Sequence, residues 1–308
     1  MILVIGSSNT DFIATMKKLP VSGETVIGTS FLQVMGGKGG NQAMAAHRLG
    51  GDVQFITCLG KDVNGKNTIE YYKKQKLDVS LSLTVDKVPS GTAMIWVDEK
   101  GENRIVVNSG ANGKLSPEYI DQLEEVIAKA SIVVIQMEIP YGTVKKICEI
   151  AHRNNTKILL NVAPACKIDS EIIKMINVLV VNETEAEIIS GESIASLGVA
   201  AVVDKLRLMG ARTVVLTLGK NGCFLKNDET FFRVPAYEVE TIDTTAAGDV
   251  FCGALAVGLW KKQKWEEILE FATAASALCV MRLGAQPSIP TKSEVDEYLN
   301  KNEMVYRE

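Results

Sequence analysis

Short apolar runs recur along the chain, and each ends at a polar residue or a glycine. Brief aliphatic runs of this kind are typical of buried β-strands. The clearest are ILVIG (2–6), DVQFITCLG (52–60), SIVVIQME (131–138), KILLNVAP (157–164), NVLVVNE (177–183) and ARTVVLTLG (211–219). Segments with helical spacing of apolar residues lie between them, at 41–50, 65–76, 116–130, 143–155 and 199–210. The alternation predicts one α/β domain over residues 1–308, a doubly wound, mostly parallel sheet between helices.

Two segments interrupt this alternation, ETVIGTSFLQVMGG (24–37) and SGTAMIWVDEKGENRIVVNSG (90–110). The second alternates apolar and polar residues around a charged turn, which predicts a hairpin with one face in water. Together, roughly residues 10–36 and 90–109 are expected to form a small antiparallel sheet apart from the main one. The sequence leaves its role open, between an edge extension of the main sheet and a β lid over a binding site.

Charge and composition narrow the class of protein. The formal charge of −4 argues against a nucleic-acid partner, because binding to phosphate backbones depends on clustered Lys and Arg. The apolar run 250–260 ends at two lysines and is too short to cross a bilayer, so we expect no membrane association. The N-terminus opens with MILVIG, without the basic segment of a signal peptide. We therefore expect a cytoplasmic protein.

Cysteine and histidine usage restricts the chemistry further. The six cysteines show no CxxC spacing, which favours buried reduced thiols over a disulfide framework or a zinc site. The two histidines, His47 and His152, both fall late in predicted helices. Acid–base chemistry is therefore expected to depend on carboxylates.

The segment DTTAAGD (243–249) runs directly into the apolar helix 250–260. The small residues Ala246, Ala247 and Gly248 would let successive backbone N–H groups face one concavity at the positive end of that helix. Such an anion hole suits the charge that develops during phosphoryl transfer. Asp249 alone is more simply a helix cap, but a cap leaves Asp243 without an explanation.

Other polar residues follow the predicted strands, where the carboxyl ends of parallel strands bring ligand-binding groups together. Lys38 and Asn41 lie in the glycine-rich stretch GGKGGNQAMAA (36–46), which suits a polyhydroxylated ligand. The strand-end residues are Asn9, Asp11, Glu138, Asn182, Glu183 and Glu185. Clustered acids also fit a hydrated Mg²⁺. Two common nucleotide-binding motifs are absent: GxxxxGK[ST] does not occur, and no GxGxxG follows the first strand. A nucleotide would therefore bind through other residues.

With these motifs in place, the chain resembles the ribokinase-type (pfkB) family of carbohydrate kinases. The motifs that carry the resemblance are SSNTD, GGKGGNQA, QMEIP, NVAP, NETE, TLGKNG, DTTAAGD and GAQPSIP, in that order over nearly the whole chain. It implies an ATP-dependent kinase acting on the 5-hydroxyl of D-ribose, with Mg²⁺ and a K⁺ activator. It also implies a homodimer formed through the β lid.

The resemblance implies a role for each matching residue. Asp249 would be the catalytic base, and the amides of Ala246, Ala247 and Gly248 the anion hole. The sugar contacts would be Asn9, Asp11, Gly37, Lys38, Asn41 and Glu138. The ATP contacts would be Asn182, Glu185, Thr217, Gly219, Gly222, Gly248 and Thr273, with Glu185 also holding Mg²⁺ through water. The K⁺ ligands would be Asp243, Thr245, Cys279, Arg282, Gly284 and Ser288, mostly through backbone carbonyls.

The chain also departs from the family pattern. Thr273 stands where the family often carries Asn or His near the adenine, which leaves the base contact open. Two other functions compete with the ribose kinase. One is another kinase of the same family (a deoxyribokinase, fructokinase or nucleoside kinase), and the other is a non-catalytic sugar or nucleotide sensor, which would need no base.

Overall fold

The computed structural model describes residues 1–302. Within them the strands are β1 (Ile2–Ile5), β2 (Asn9–Thr15), β3 (Ser30–Gly36), β4 (Val53–Ile56), β5 (Cys58–Gly60), β6 (Leu83–Val85), β7 (Gly91–Val97), β8 (Asn103–Asn108), β9 (Ile132–Ile135), β10 (Lys157–Asn161), β11 (Val178–Asn182), β12 (Thr213–Thr217), β13 (Cys223–Lys226) and β14 (Phe231–Val234). The helices are α1 (Lys38–Arg48), α2 (Val63–Lys74), α3 (Pro117–Asp121), α4 (Glu124–Lys129), α5 (Tyr141–Arg153), α6 (Ser170–Met175), α7 (Glu183–Ser190), α8 (Ile194–Leu197), α9 (Val199–Leu208), α10 (Ala247–Trp260), α11 (Trp265–Val280) and α12 (Lys292–Lys301). The last six residues of the predicted domain, 303–308, lie outside the described residues.

The main sheet has the strand order β14-β13-β12-β11-β10-β9-β1-β4 among the described residues. From β12 to β4 every pair is parallel, whereas β13 and β14 extend the β12 edge in antiparallel fashion. The six predicted strands are confirmed, with one change. The run 52–60 divides at Thr57, and β5 leaves the main sheet to pair with β6. Strands β13 and β14 were not predicted.

Helices cover both faces of this sheet. Alternate residues of β1 enter different cores: Leu3 and Ile5 belong to one hydrophobic cluster, and Ile2 and Val4 to the other. A strand that is buried on both faces in this way is typical of parallel sheets. The doubly wound α/β fold is therefore confirmed. On the second face α10 is buried along nearly its whole length, because α1 and α11 pack against it.

The predicted helices are confirmed except over residues 116–130. There the expected single helix is interrupted between α3 and α4, where Leu123 leaves helical geometry (φ −99°, ψ 9°) while its side chain stays buried. The apolar stripe survives the interruption, so periodicity alone did not reveal it. His47 and His152 lie in the last turns of α1 and α5, as predicted. In residues 1–302 no helix has both the length and the apolarity to cross a membrane.

A second sheet stands apart from the main one, with the order β3-β2-β7-β8. The predicted hairpin is confirmed as the antiparallel pair β7 and β8. Two details differ from the expectation: β2 and β7 pair in parallel, and residues 24–29 form no strand, so β3 begins only at Ser30. None of its strands pairs with the main sheet, so this sheet is not an edge extension of it.

Candidate active site

Asp249 lies in the first turn of α10, which the segment 243–246 enters through a strained turn. The residue before the helix is Ala246, whose φ of 62° lies in the left-handed region that a β-carbon disfavours. No side chain caps this helix. The Asp249 carboxylate instead accepts hydrogen bonds from α1, so the interpretation of Asp249 as a helix cap is wrong.

The amides of Ala246, Ala247 and Gly248 lie at this same end of α10. A β-carbon added at Gly248 would meet no atom within 4 Å, so the backbone here faces open space. The Ala247 N–H donates to the Thr244 carbonyl at 3.3 Å, slightly beyond the usual range for such a bond. The helix dipole adds partial positive charge to this end. The arrangement suits a bound anion.

Two amide side chains hold the Asp249 carboxylate from α1. Asn41 Nδ2 donates to Oδ2 at 2.9 Å, and Gln42 Nε2 donates to Oδ1 at 3.0 Å. Burial raises the pKa of Asp249, whereas the Lys38 ammonium and the two amide hydrogen bonds act to lower it. A buried carboxylate with a raised pKa, facing a cleft, is a physically reasonable general base.

Asn9 and Asp11 project from the same face of β2, because residues two apart on a strand share a face. Each needs a glycine beside it. A β-carbon at Gly36 would lie 2.0 Å from Asp11 Oδ2, and one at Gly91 would lie 2.3 Å from Asn9 Oδ1. Asn9 Oδ1 also accepts a hydrogen bond from Asn112 Nδ2 at 2.7 Å. The neighbouring strands thus leave room for two buried polar side chains.

The Asp11 carboxyl lies in an environment that strongly disfavours its charged form. Its pKa is raised from 3.8 to about 7, mainly by burial and further by the negative charges of Glu138 and Asp249. Its Oδ1 atom is buried without a hydrogen-bond partner among the described residues. A buried, unpartnered carboxylate oxygen is suited to accept a hydrogen bond from a ligand hydroxyl.

Lys38 and Glu138 meet where α1 begins. Glu138 Oε2 accepts hydrogen bonds from the Lys38 backbone N–H at 3.0 Å and from Ser7 Oγ at 2.6 Å. Gly37, with φ 82°, allows α1 to begin close to the start of β2, because a β-carbon there would lie 2.7 Å from the Asn9 nitrogen. Burial acts to lower the pKa of Lys38, but the nearby carboxylates outweigh it and raise the pKa. Lys38 is therefore a protonated cation, and with it all six predicted sugar contacts lie close together.

A cavity of about 540 Å³ opens beside the start of α10. Five of the predicted ATP contacts line it: Thr217, Gly219, Gly222, Gly248 and Thr273. The Thr273 hydroxyl donates to the Leu269 carbonyl of its own helix, at 2.7 Å. Its donor hydrogen is thus used within α11.

A smaller cavity of about 220 Å³ adjoins this one and reaches Asp249. Asn182, Glu185, Lys38 and Gly248 line it as well. Asn182 and Glu185 form a reciprocal capping box on α7, in which each side chain accepts from the other residue's backbone N–H at 2.8 Å. Burial is the main cause that raises the pKa of Glu185. These two residues therefore cap a helix and line the cavity at the same time.

Two of the predicted cation ligands, Thr245 and Gly284, contact the carboxylate of a third, Asp243. Its Oδ1 atom accepts from the Thr245 N–H and hydroxyl, and its Oδ2 atom accepts from the Gly284 N–H at 2.8 Å. Cys279 Sγ lies 3.6 Å from the Thr245 carbonyl and 3.1 Å from Ser288 Oγ.

The sixth predicted cation ligand, Arg282, directs its side chain away from this group. Its guanidinium pairs with Glu294 at 2.6 Å, which leaves only its backbone carbonyl for a cation. The Asp243 carboxylate accepts three hydrogen bonds, two from Thr245 and one from Gly284.

The family model described as pfkB family carbohydrate kinase matches residues 1–292 of the chain. The chain belongs to the pfkB family of carbohydrate kinases.

Individual pfkB relatives align along nearly the full chain. A ribokinase from Bacillus subtilis is 40% identical over 299 residues, which cover 97% of this chain and 99% of the relative. A deoxyribokinase from Salmonella typhi is 34% identical over 307 residues, covering 98% and 99%. The structure of Arabidopsis thaliana ribokinase complexed with ribose and ATP has a TM-score of 0.90 at 31% identity, covering 97% of this chain and 98% of that one.

Several residues of this pfkB kinase site were not found from the sequence. Asn112, from the turn after β8, holds both Asn9 and the Ser8 backbone. Ala236, Tyr237 and Val239, from the segment after β14, line the larger cavity. None of them lies in a recognisable sequence motif. Each reaches the site only because folding brings together segments that are distant in sequence.

Proposed function

We propose that this pfkB kinase transfers the terminal phosphoryl group of ATP to the 5-hydroxyl of D-ribose, giving D-ribose 5-phosphate and ADP. The observation that carries the proposal is the position of Asp249. Its buried carboxylate lies between the polar groups of β2 and α1 on one side and the two adjoining cavities on the other. A base is needed where a sugar hydroxyl meets a phosphoryl group, and a protein that only binds ligands needs none.

In the proposed reaction the 5-hydroxyl oxygen attacks the γ-phosphorus of ATP. Its proton passes to Asp249 as the bond between the γ-phosphorus and the bridging oxygen breaks, and ADP leaves. The amides of Ala246, Ala247 and Gly248 stabilise the charge on the transferring group. Lys38, which lines the smaller cavity, adds a positive charge at the same place.

The sugar is assigned to Asn9, Asp11, Gly37, Asn41 and Glu138, together with Lys38. Buried polar groups favour a ligand that has a hydroxyl for each of them, because an analogue that lacks one leaves a polar group unpaired. The unpartnered oxygens of Asp11 and Asn41 supply this discrimination. They favour ribose over deoxyribose.

The nucleotide is assigned to the larger cavity, with its phosphates toward Asp249. Glu185 is the residue that would hold Mg²⁺ through water, since Mg²⁺ favours one or two carboxylates plus phosphate oxygens. When bound, the ion would neutralise charge on the phosphates. The Asp243 group would hold K⁺ and so stabilise the strained turn that leads into α10.

The second sheet is proposed as the lid and as the contact between two subunits. One of its faces exposes the apolar side chains of Phe31, Met94, Trp96 and Val106. Exposed apolar patches of this kind mark sites of protein association. Light scattering that finds only monomers at enzyme-assay concentrations would contradict the dimer.

The deciding experiment is a panel of ribose, deoxyribose, fructose and adenosine with ATP, followed by ³¹P NMR of the product. We expect ribose to give the highest kcat/KM and phosphorylation at the 5-position. Asp249→Asn should lower kcat by about 10²–10⁴, the usual contribution of a general base, while ATP binding is retained. The control is Asp86→Asn, which removes an exposed carboxylate.

The possible results separate the alternatives. Highest kcat/KM on deoxyribose, fructose or adenosine would reassign the substrate within the family. ATP or sugar binding without turnover in the wild-type protein would favour the sensor. Near-normal turnover in Asp249→Asn would refute the base.

A further inference from the structure

Gln42 follows Asn41 in α1, and it is neither a proposed sugar contact nor a proposed ATP contact. Its side chain is fully buried and makes three hydrogen bonds. Its Oε1 atom accepts from Gln136 Nε2 at 2.7 Å, and its Nε2 atom donates to Asn161 Oδ1 and to Asp249 Oδ1, both at 3.0 Å. A carboxylate can only accept, so the nitrogen of this amide must face Asp249. The orientation of Gln42 is therefore set by its partners.

The two oxygens of Asp249 differ in what holds them. Oδ1 is bound to Gln42, whose two amide hydrogens are both used inside the protein. Oδ2 is bound to Asn41 Nδ2 at 2.9 Å, and the Oδ1 atom of Asn41 is buried without a partner among the described residues. Asn41 is thus only partly paired and can turn to a ligand, whereas Gln42 is fully engaged.

Close backbone approaches hold Gln42 and its anchor in place. A β-carbon at Gly253 of α10 would lie 2.6 Å from Ala45 Cβ and 3.0 Å from the Gln42 carbonyl, so α1 and α10 touch there. A β-carbon at Gly6 would lie 2.0 Å from Gln136 Oε1. The absence of a β-carbon at Gly6, which directly follows β1, leaves room for the Gln136 amide, and its absence at Gly253 lets α10 approach the backbone of α1 at Gln42.

From this geometry we infer that Gln42, itself held by Gln136, is a positioning residue for the base: it anchors Oδ1 of Asp249 and leaves Oδ2 to take the proton of the acceptor hydroxyl. The inference rests on the proposed kinase function. It assigns different tasks to two amides that are neighbours in sequence, since Asn41 contacts the sugar and Gln42 orients the base.

The hydrogen bond from Gln42 also favours the charged form of Asp249, because a donor stabilises a carboxylate. It therefore acts against burial, which raises the pKa of Asp249. The other titratable groups whose charges reach Asp249 are Lys38, Asp11, Glu138, Glu185 and the thiols of Cys252 and Cys279. Substitution of Gln42 leaves all of these in place, so the pKa of Asp249 should rise.

The test is Gln42→Met, which keeps the length of the side chain and removes its amide. We expect kcat to fall by about tenfold to hundredfold, as for a modest misplacement of a catalytic group. KM for ATP should change by less than about threefold, because the substitution leaves in place the contacts that bind ATP equally in the ground state and the transition state. The acidic limb of the pH–kcat profile should move to higher pH, which a purely structural defect would not cause.

Two further variants complete the design. Gln136→Met should change kcat and the acidic limb of the pH–kcat profile in the same direction as Gln42→Met, but by less. If Gln42→Met does not fold, Gln136→Met replaces it in the test. The matched control is Thr143→Val, which removes a buried hydrogen bond to the Leu115 carbonyl far from Asp249 and should leave both readouts unchanged.

The inference is overturned if kcat and the acidic limb stay at wild-type values in the folded glutamine variants. It is also overturned if Thr143→Val reproduces their effects. A wild-type protein that phosphorylates none of the panel sugars refutes the proposed function itself, so the two failures are distinguishable.

Discussion

Asp11→Asn should make the ligand-free protein more stable at neutral and alkaline pH. The Asp11 side chain is 6% exposed, and its pKa is raised from 3.8 to about 7, first by burial and then by the charges of Glu138 and Asp249. The folded state therefore binds the Asp11 proton more tightly than the unfolded state does. Linkage then requires that the contribution of Asp11 to stability is greatest below the unfolded pKa and is lost as pH rises through the folded pKa.

The magnitude follows from the difference between the two pKa values. One pKa unit corresponds to about 1.4 kcal/mol, so a difference of about three units gives a full cost of about 4 kcal/mol well above pH 7. Between about pH 5.5 and about pH 8 the change is about 2 kcal/mol, because the unfolded chain has already lost the Asp11 proton at pH 5.5 while the folded chain keeps it until about pH 7. An asparagine cannot ionise and does not incur this cost.

Denaturant unfolding of wild type and Asp11→Asn at the two pH values provides the assay. The free energy of unfolding of the variant relative to wild type should rise by about 2 kcal/mol from about pH 5.5 to about pH 8. Asp86→Asn, which changes an exposed carboxylate, should show no such rise. A difference between Asp11→Asn and wild type that is the same at both pH values would refute the reasoning, whatever its sign. The same variant should raise KM for the sugar.

Two other changes test packing and the cation. Gly40→Ala should cost about 1–3 kcal/mol of unfolding free energy, because its β-carbon would lie 2.3 Å from the Tyr72 hydroxyl. Combining it with Tyr72→Phe should recover part of this loss, and additive effects in the double-mutant cycle would contradict the clash. For the cation, kcat in K⁺ should exceed kcat in Na⁺ or Li⁺, and Asp243→Asn should remove that preference. Equal rates in the three salts would exclude the role proposed for Asp243.

The parallel strands could be predicted because their signal is local. A run such as ILVIG is apolar on both faces, and that pattern alone identifies a strand covered by helices on both sides. Strands β13 and β14 lack this signal. They lie at the sheet edge, where Lys226 and Arg233 interrupt short apolar runs, and only their pairing with β12 makes them strands.

The residues of the site also divide into those that have a local sequence signal and those that have none. Residues inside recognisable motifs, such as Asp249 and Asn41, could be expected at one site from the sequence, and their side chains are hydrogen-bonded to each other. The contact between Gln42 and Asp249 could not, because it joins residues 207 positions apart and depends on how closely α1 approaches α10. Asn112 is a similar case, since its partner Asn9 lies 103 positions away.

The three helices that begin near Asp249 differ in how their first N–H groups are satisfied, and this difference favours one of them as the phosphoryl site. On α1 the first N–H groups are all bound: that of Lys38 donates to Glu138 Oε2. Those of Gly39 and Gly40 donate to the hydroxyl and the carbonyl of Ser7, respectively. On α7 the capping box formed by Asn182 and Glu185 satisfies the N-terminus from within. Helix α10 has no side-chain cap, begins at a left-handed alanine and faces open space at Gly248. Because an anion binds where backbone donors are still available, we expect the transferring phosphoryl group to bind at α10, next to Asp249.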